Sequence, residues 1–127
     1  MSTPFDPRQR LIIVEVRVWG PTGDRVLRLG LDTGAGTTVV SPAILVGLGY
    51  DPAAAPQRVQ ITTGSGIEFV SLLSINRIEA LGQTRSHLPV LCHTLPPSAP
   101  IDGLLGLDFL RNRRLTIDFR AGRITLR

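Results

Sequence analysis

Residues 29–40 run Leu29-Gly30-Leu31-Asp32-Thr33-Gly34-Ala35-Gly36-Thr37-Thr38-Val39-Val40. An acid stands at the end of an apolar run, small residues and glycines follow it, and β-branched residues then resume. Leu31 before the acid and Val39-Val40 after it predict a carboxyl that is partly desolvated, which raises the cost of ionising it. Gly34 and Gly36 allow a tight turn whose backbone N–H groups can point at that carboxylate. The Thr33 hydroxyl can brace the turn or a symmetry-related copy of it. Such a loop holds one carboxylate still, which makes sense if a second carboxylate must sit against it. Taken alone, Asp-Thr-Gly also reads as an ordinary turn whose aspartate bonds its own backbone.

Working outward, residues 11–19 are β-branched and partly alternating, a strand. A turn cluster at 20–24 and a second strand at 25–31 complete a hairpin that delivers the chain to Asp32. Beyond the loop, 37–41 continue as a short strand. Residues 42–48 fit a turn or two of helix, with Ser41 as N-cap and Pro42 at the first helical position. Residues 51–56 read as a loop. Strands at 57–63 and 67–74 flank Gly64-Ser65-Gly66, and 74–81 with 84–91 make a further pair around Gly82-Gln83. A proline-rich loop at 95–100 leads to a short apolar strand at 101–105. Residues 108–113 have helical character, with Asp108 as a candidate cap, and 115–119 with 123–126 form a last hairpin. Residues 1–9 read as a polar N-terminal arm and 10–127 as the domain. Many short strands with one or two short helices predict an all-β fold, a closed barrel or a sandwich.

Composition narrows the function classes. The chain of 127 residues, 43% hydrophobic and 19% charged, has room for one domain with a real core. All 14 of its basic residues are arginines and the net charge is +4. They are scattered, and the densest group, Arg111, Arg113 and Arg114, is too small for a nucleic-acid footprint. Aromatic residues at 5% also leave no stacking platform for single strands. One cysteine, Cys92, rules out an internal disulfide, and its neighbours Val90 and Leu91 mark it as a small buried hydrophobe. His87 and His93 match no metal-ligand spacing, so no metal and no cofactor is expected. No run approaches the ~20 apolar residues of a membrane-crossing helix, and the start does not read as a secretion signal. The expected setting is cytoplasmic, or else a soluble domain of a membrane-anchored protein.

The second informative stretch is Ile101-Asp102-Gly103-Leu104-Leu105-Gly106-Leu107-Asp108-Phe109-Leu110. Two apolar residues and a glycine end a strand, and a short helix follows. This order, from Asp-Thr-Gly through a glycine-bearing hairpin to apolar-apolar-Gly, a short helix and a final strand, resembles the retropepsin-type aspartic proteases. The resemblance covers residues 10 to 127. It implies a retropepsin-like barrel in which Leu104, Leu105 and Gly106 form the ψ-shaped element beside the active-site loop of Thr33, Gly34 and Ala35. It also implies Asp32 as a catalytic carboxylate, and a flap over substrate at Thr63, Gly64, Ser65 and Gly66. On residues alone, an ordinary tight hairpin reads as well there as a flap.

In that family two Asp-Thr-Gly loops meet across a dyad and their aspartates share one proton. None of Asp6, Asp24, Asp51, Asp102, Asp108 and Asp118 is followed by Thr-Gly or Ser-Gly. The chain therefore carries half a site, and the resemblance implies a homodimer acting on peptide substrates as an endopeptidase. A catalytically inactive retropepsin-fold domain that dimerises or binds peptides is the alternative. An arginine-mediated nucleic-acid binder is a third reading. Two departures stand out. Viral members often pair an acid after the Asp-Thr-Gly with an arginine after the second glycine; here those places hold Gly36 or Thr37, and Leu107. Ala35 also replaces the Ser or Thr of many aspartic proteases.

Overall fold

The computed structural model describes residues 1–127. Its first hairpin follows from alternation: Val14, Val16 and Val18 of β2 (Ile13–Gly20) point inward, while Glu15 and Arg17 point out. β2 pairs antiparallel with β3 (Gly23–Leu31), placing Ile13 opposite Gly30, and β3 adds Leu27 and Leu29 to the core. A short β1 (Ser2–Pro4) precedes them. Then come β4 (Val39–Val40), α1 (Pro42–Gly47), a one-turn 3-10 helix at Pro52–Ala54, β5 (Gln57–Thr63), β6 (Gly66–Ala80) and β7 (Gln83–Cys92). The chain ends with β8 (Gly103–Leu105), α2 (Leu107–Leu110), β9 (Leu115–Asp118) and β10 (Arg123–Leu126).

Strand order in the large sheet is β2-β3-β8-β4-β7-β6-β5, and β2 also pairs with β6 through Arg17–Trp19 against Arg77–Glu79. That second pairing closes six strands into a barrel and leaves β5 outside it, joined only to β6. Closure removes the open edges a flat sheet would expose. The barrel is filled by Leu27, Leu29, Ile75, Ile78, Leu105 and Phe109, each fully buried and each stabilising the fold by about 1.5–3 kcal/mol.

Several local expectations are corrected. The two strands read at 67–74 and 74–81 are one continuous strand, β6. Ser41 makes no side-chain cap; its amide donates to the Asp102 carbonyl. Residues 52–54 form a 3-10 turn, started by the Asp51 carboxylate accepting from the Ala53 amide. Asp108 lies inside α2 instead of capping it. The stretch read as a polar arm contains β1, which pairs with β10, and Phe5, which is buried in the core.

Candidate active site

Asp32 is fixed from both sides by backbone. Its amide donates to the Leu105 carbonyl at 3.0 Å, while the preceding Leu31 amide donates to Ile12. Oδ1 accepts the Gly34 amide at 2.8 Å and the Asp32 carbonyl accepts the Ala35 amide. That is the self-bonded turn of the plainer reading, and it orients the carboxylate without covering it: the chain offers no hydrogen bond to Oδ2. Asp32 is half-buried and Thr33 exposed, with no intrachain bond from the Thr33 hydroxyl. The Gly36 amide makes no hydrogen bond to the carboxylate, whose one backbone donor is Gly34.

Leu104, Leu105 and Gly106 lie directly beside this loop. β8 runs parallel to β3, with Gly30 opposite Leu104 and Leu31 opposite Leu105, and antiparallel to β4. The crossing leaves no room for side chains at two glycines. A Cβ on Gly103 would fall on the Val39 carbonyl, and one on Gly106 would lie 2.6 Å from the Ala35 oxygen. The Leu107 amide, donating to the Ala35 carbonyl at 2.8 Å, ties the second element to the loop again.

Thr38 and Asp108 were not singled out as site residues, yet they join the two elements. The Asp108 carboxylate accepts the Thr38 amide at 2.9 Å and the Thr38 hydroxyl at 2.7 Å. That hydroxyl in turn accepts the Gly106 amide at 3.1 Å. Thr38 is completely buried, so the ionised acceptor makes these strong bonds in a sheltered place. They span the loop and the second element, the two parts an acid–arginine pair would link. The only sequence signal was an acid two residues after Gly106, which helix capping accounted for equally well.

The other aspartates are occupied elsewhere. Asp24 pairs with Arg17, and Asp6, Asp51, Asp102 and Asp118 accept amides of Arg8, Ala53, Arg28 and Arg120. No three His, Cys, Asp or Glu side chains come together anywhere. With the Asp108 carboxylate taken up by Thr38 and Phe109, Asp32 is the one carboxylate of this loop left with an oxygen that no donor of the chain bonds.

The β5–β6 hairpin projects from the barrel. Thr63 faces Gly66 in the ladder, its hydroxyl donates to the Gly66 carbonyl at 3.2 Å, and it lies 3.1 Å from the Ser65 hydroxyl. Gly66 has φ +130°, a conformation side chains resist. Residues 64–69 are all exposed, including Ile67 and Phe69 on the face that farther along β6 carries the core residues Leu73 and Ile75. The hairpin thus carries an apolar inner face past the end of the core.

A model of the aspartyl protease family matches residues 14–109, from the start of β2 into α2. The chain belongs to the aspartyl protease family. Among solved structures, the retropepsin-like aspartic protease from Rickettsia conorii superposes with a TM-score of 0.73, covering 99% of this chain and 89% of its own. At 17% identity that likeness shows the fold, and the fold is retropepsin-like. No curated protein matches the sequence. The fold of this family member is mostly β, with only two short α-helices, and neither is long and apolar enough to cross a membrane.

Proposed function

We propose that the chain is an aspartic endopeptidase active as a homodimer, in which the Asp32 carboxylates of two copies share one proton. The observation that carries this reading is the state of Asp32: oriented through Oδ1 by the Gly34 amide, free at Oδ2, and without a second carboxylate from its own chain. An isologous dimer supplies the missing half, because a twofold axis places a residue beside its own copy.

In that dimer two carboxylates at close range cannot both ionise, so one stays neutral. The ionised one takes a proton from a water molecule, and the water oxygen attacks the peptide carbonyl. The neutral one donates its proton to the carbonyl oxygen. Collapse of the tetrahedral species breaks the C–N bond as the amine takes up a proton, with no covalent enzyme intermediate. Thr33, exposed and unbonded within its own chain, braces the opposite loop. Thr63, Gly64, Ser65 and Gly66 form the tip of a flap that closes over the peptide, and Ile67 and Phe69 give it an apolar underside.

The test is cleavage of an unstructured protein across a pH series from about 4 to 8. Wild type should cut and Asp32→Asn should not, while both run as dimers. Cutting by both proteins, or by neither, removes aspartic catalysis, and cutting by neither leaves a domain that only dimerises or binds peptides.

A further inference from the structure

The largest cleft of the chain, about 540 Å³, is lined by none of the residues named for the reaction. Arg8, Arg10, Leu11 and Ile13 line one side, and Ala99 and Pro100 of the proline-rich loop line the other. It lies along the strand that ends at the candidate site. Ile13 faces Gly30 in the β2–β3 ladder, and a Cβ on Gly30 would meet Ile101 at 3.2 Å, so both walls flank the last residues before Asp32. At about 3.4 Å per residue, Gly30 is some 7 Å from Asp32 along the strand, the span of two residues of an extended peptide.

Its charge is unbalanced. No acidic residue lines the cleft. The ion pairs of the chain are Arg17–Asp24, Arg77–Glu79 and His93–Glu68, so neither Arg8 nor Arg10 has a carboxylate partner. The acid nearest in sequence, Asp6, is turned to the backbone and accepts the Arg8 amide at 2.9 Å. Leu11, Ile13 and Pro100 supply apolar wall against which methylenes can lie, and a guanidinium fork matches a carboxylate in two-point geometry.

We propose that this cleft receives an acidic side chain of the substrate, glutamate or aspartate, within about three residues of the scissile bond, with Arg8 and Arg10 holding its carboxylate. The assignment rests on the endopeptidase reading and adds a preference to it.

The experiment digests a mixed peptide library with the purified full chain and counts residues at the three positions on each side of every cut. Acidic residues should be enriched about tenfold at one of those positions, the size of one partly exposed charge-assisted bond, and less so at high salt. The double variant Arg8→Gln/Arg10→Gln should lose that enrichment. Cutting that depends on Asp32 but shows no acidic preference, or shows the same preference in the double variant, overturns the cleft assignment and leaves the protease reading intact. So does a loss of the dimer in the double variant, which would mean that the second copy covers the cleft. If no Asp32-dependent cutting occurs, the protease reading is what fails. The cleft is then read by binding of a fluorescein-labelled glutamate-containing peptide beside its glutamine twin. Tighter binding of the glutamate form, lost in the double variant, supports the cleft, and equal binding removes it.

Discussion

Asp108 shows what a single side chain can do for a loop it does not belong to. Its carboxylate holds the amide and hydroxyl of the fully buried Thr38, and the Phe109 amide as well. Asp108→Ala strands those donors away from water, so thermal or urea unfolding should show a loss of about 2–4 kcal/mol. Asp108→Asn keeps one acceptor oxygen and should lose less. Thr38→Val, similar in volume but without the hydroxyl, should destabilise by about 1–3 kcal/mol through the orphaned Gly106 amide. At position 35 the missing hydroxyl bears on pH. A serine there would donate to the Asp32 carboxylate and favour its ionised form. Ala35→Ser should therefore move the optimum for cleavage toward acid, and an unmoved pH profile would count against that role for Ala35. At this scale the sequence was legible where chemistry is local: Asp32, Gly34 and Gly106 stand out by type and spacing. The Thr38–Asp108 bonds were not, because they cross 70 residues of chain and nothing near either residue announces the other.

Among the elements, β6 is where periodicity misled, and the reason is physical. After Val70, its buried residues run Ser71, Leu73 and Ile75, then shift phase to Ile78 and Ala80. A change of phase reads as a break between two strands. The structure absorbs it within one strand: the Asn76 amide donates to the Tyr50 hydroxyl at 2.9 Å, and His87 on the facing strand takes φ +54°. The same hydroxyl donates to the Trp19 carbonyl at 2.6 Å, so Tyr50 braces the β2–β6 seam that closes the barrel. Tyr50→Phe should cost about 1–2 kcal/mol in denaturant unfolding. Burial raises the Tyr50 pKa, only partly countered by the Asn76 amide. The neutral phenol is thus favoured by folding, a contribution complete below the ordinary value of about 10 and lost as pH rises through the raised one. Alkaline unfolding of wild type should therefore include a Tyr50-linked step above about pH 10 that Tyr50→Phe lacks. The element that carries Gly106 is less forgiving. Gly106→Ala pushes a methyl onto the Ala35 carbonyl, and circular dichroism melts should show a loss of about 3 kcal/mol.

For the molecule as a whole, the hairpins, the short helices and the closing pair of strands were visible as alternation and turn residues. Barrel closure was legible only through family resemblance, since no local pattern tells β2 to meet β6. The proposed two-copy site makes a concentration-dependent prediction: specific activity should fall on dilution in step with the dimer fraction seen by sedimentation. Activity that stays constant while the protein runs as a monomer would remove the shared carboxylate pair. Cys92 offers a probe of integrity. It is 8% exposed, and burial raises its thiol pKa. In the native protein at about pH 8 a thiol reagent should modify it far more slowly than an ordinary free cysteine, with the block lifted in denaturant.

The three-stranded sheet β1-β10-β9 is sewn together from the two ends of one chain, Ser2 facing Thr125 and Arg123 facing Asp118. All three strands of this sheet find their pairing within one chain. On the proposed dimeric reading, activation then separates into two events of different kinetic order, folding within one chain and pairing of two. Under that proposal, scarcity alone would keep the enzyme silent.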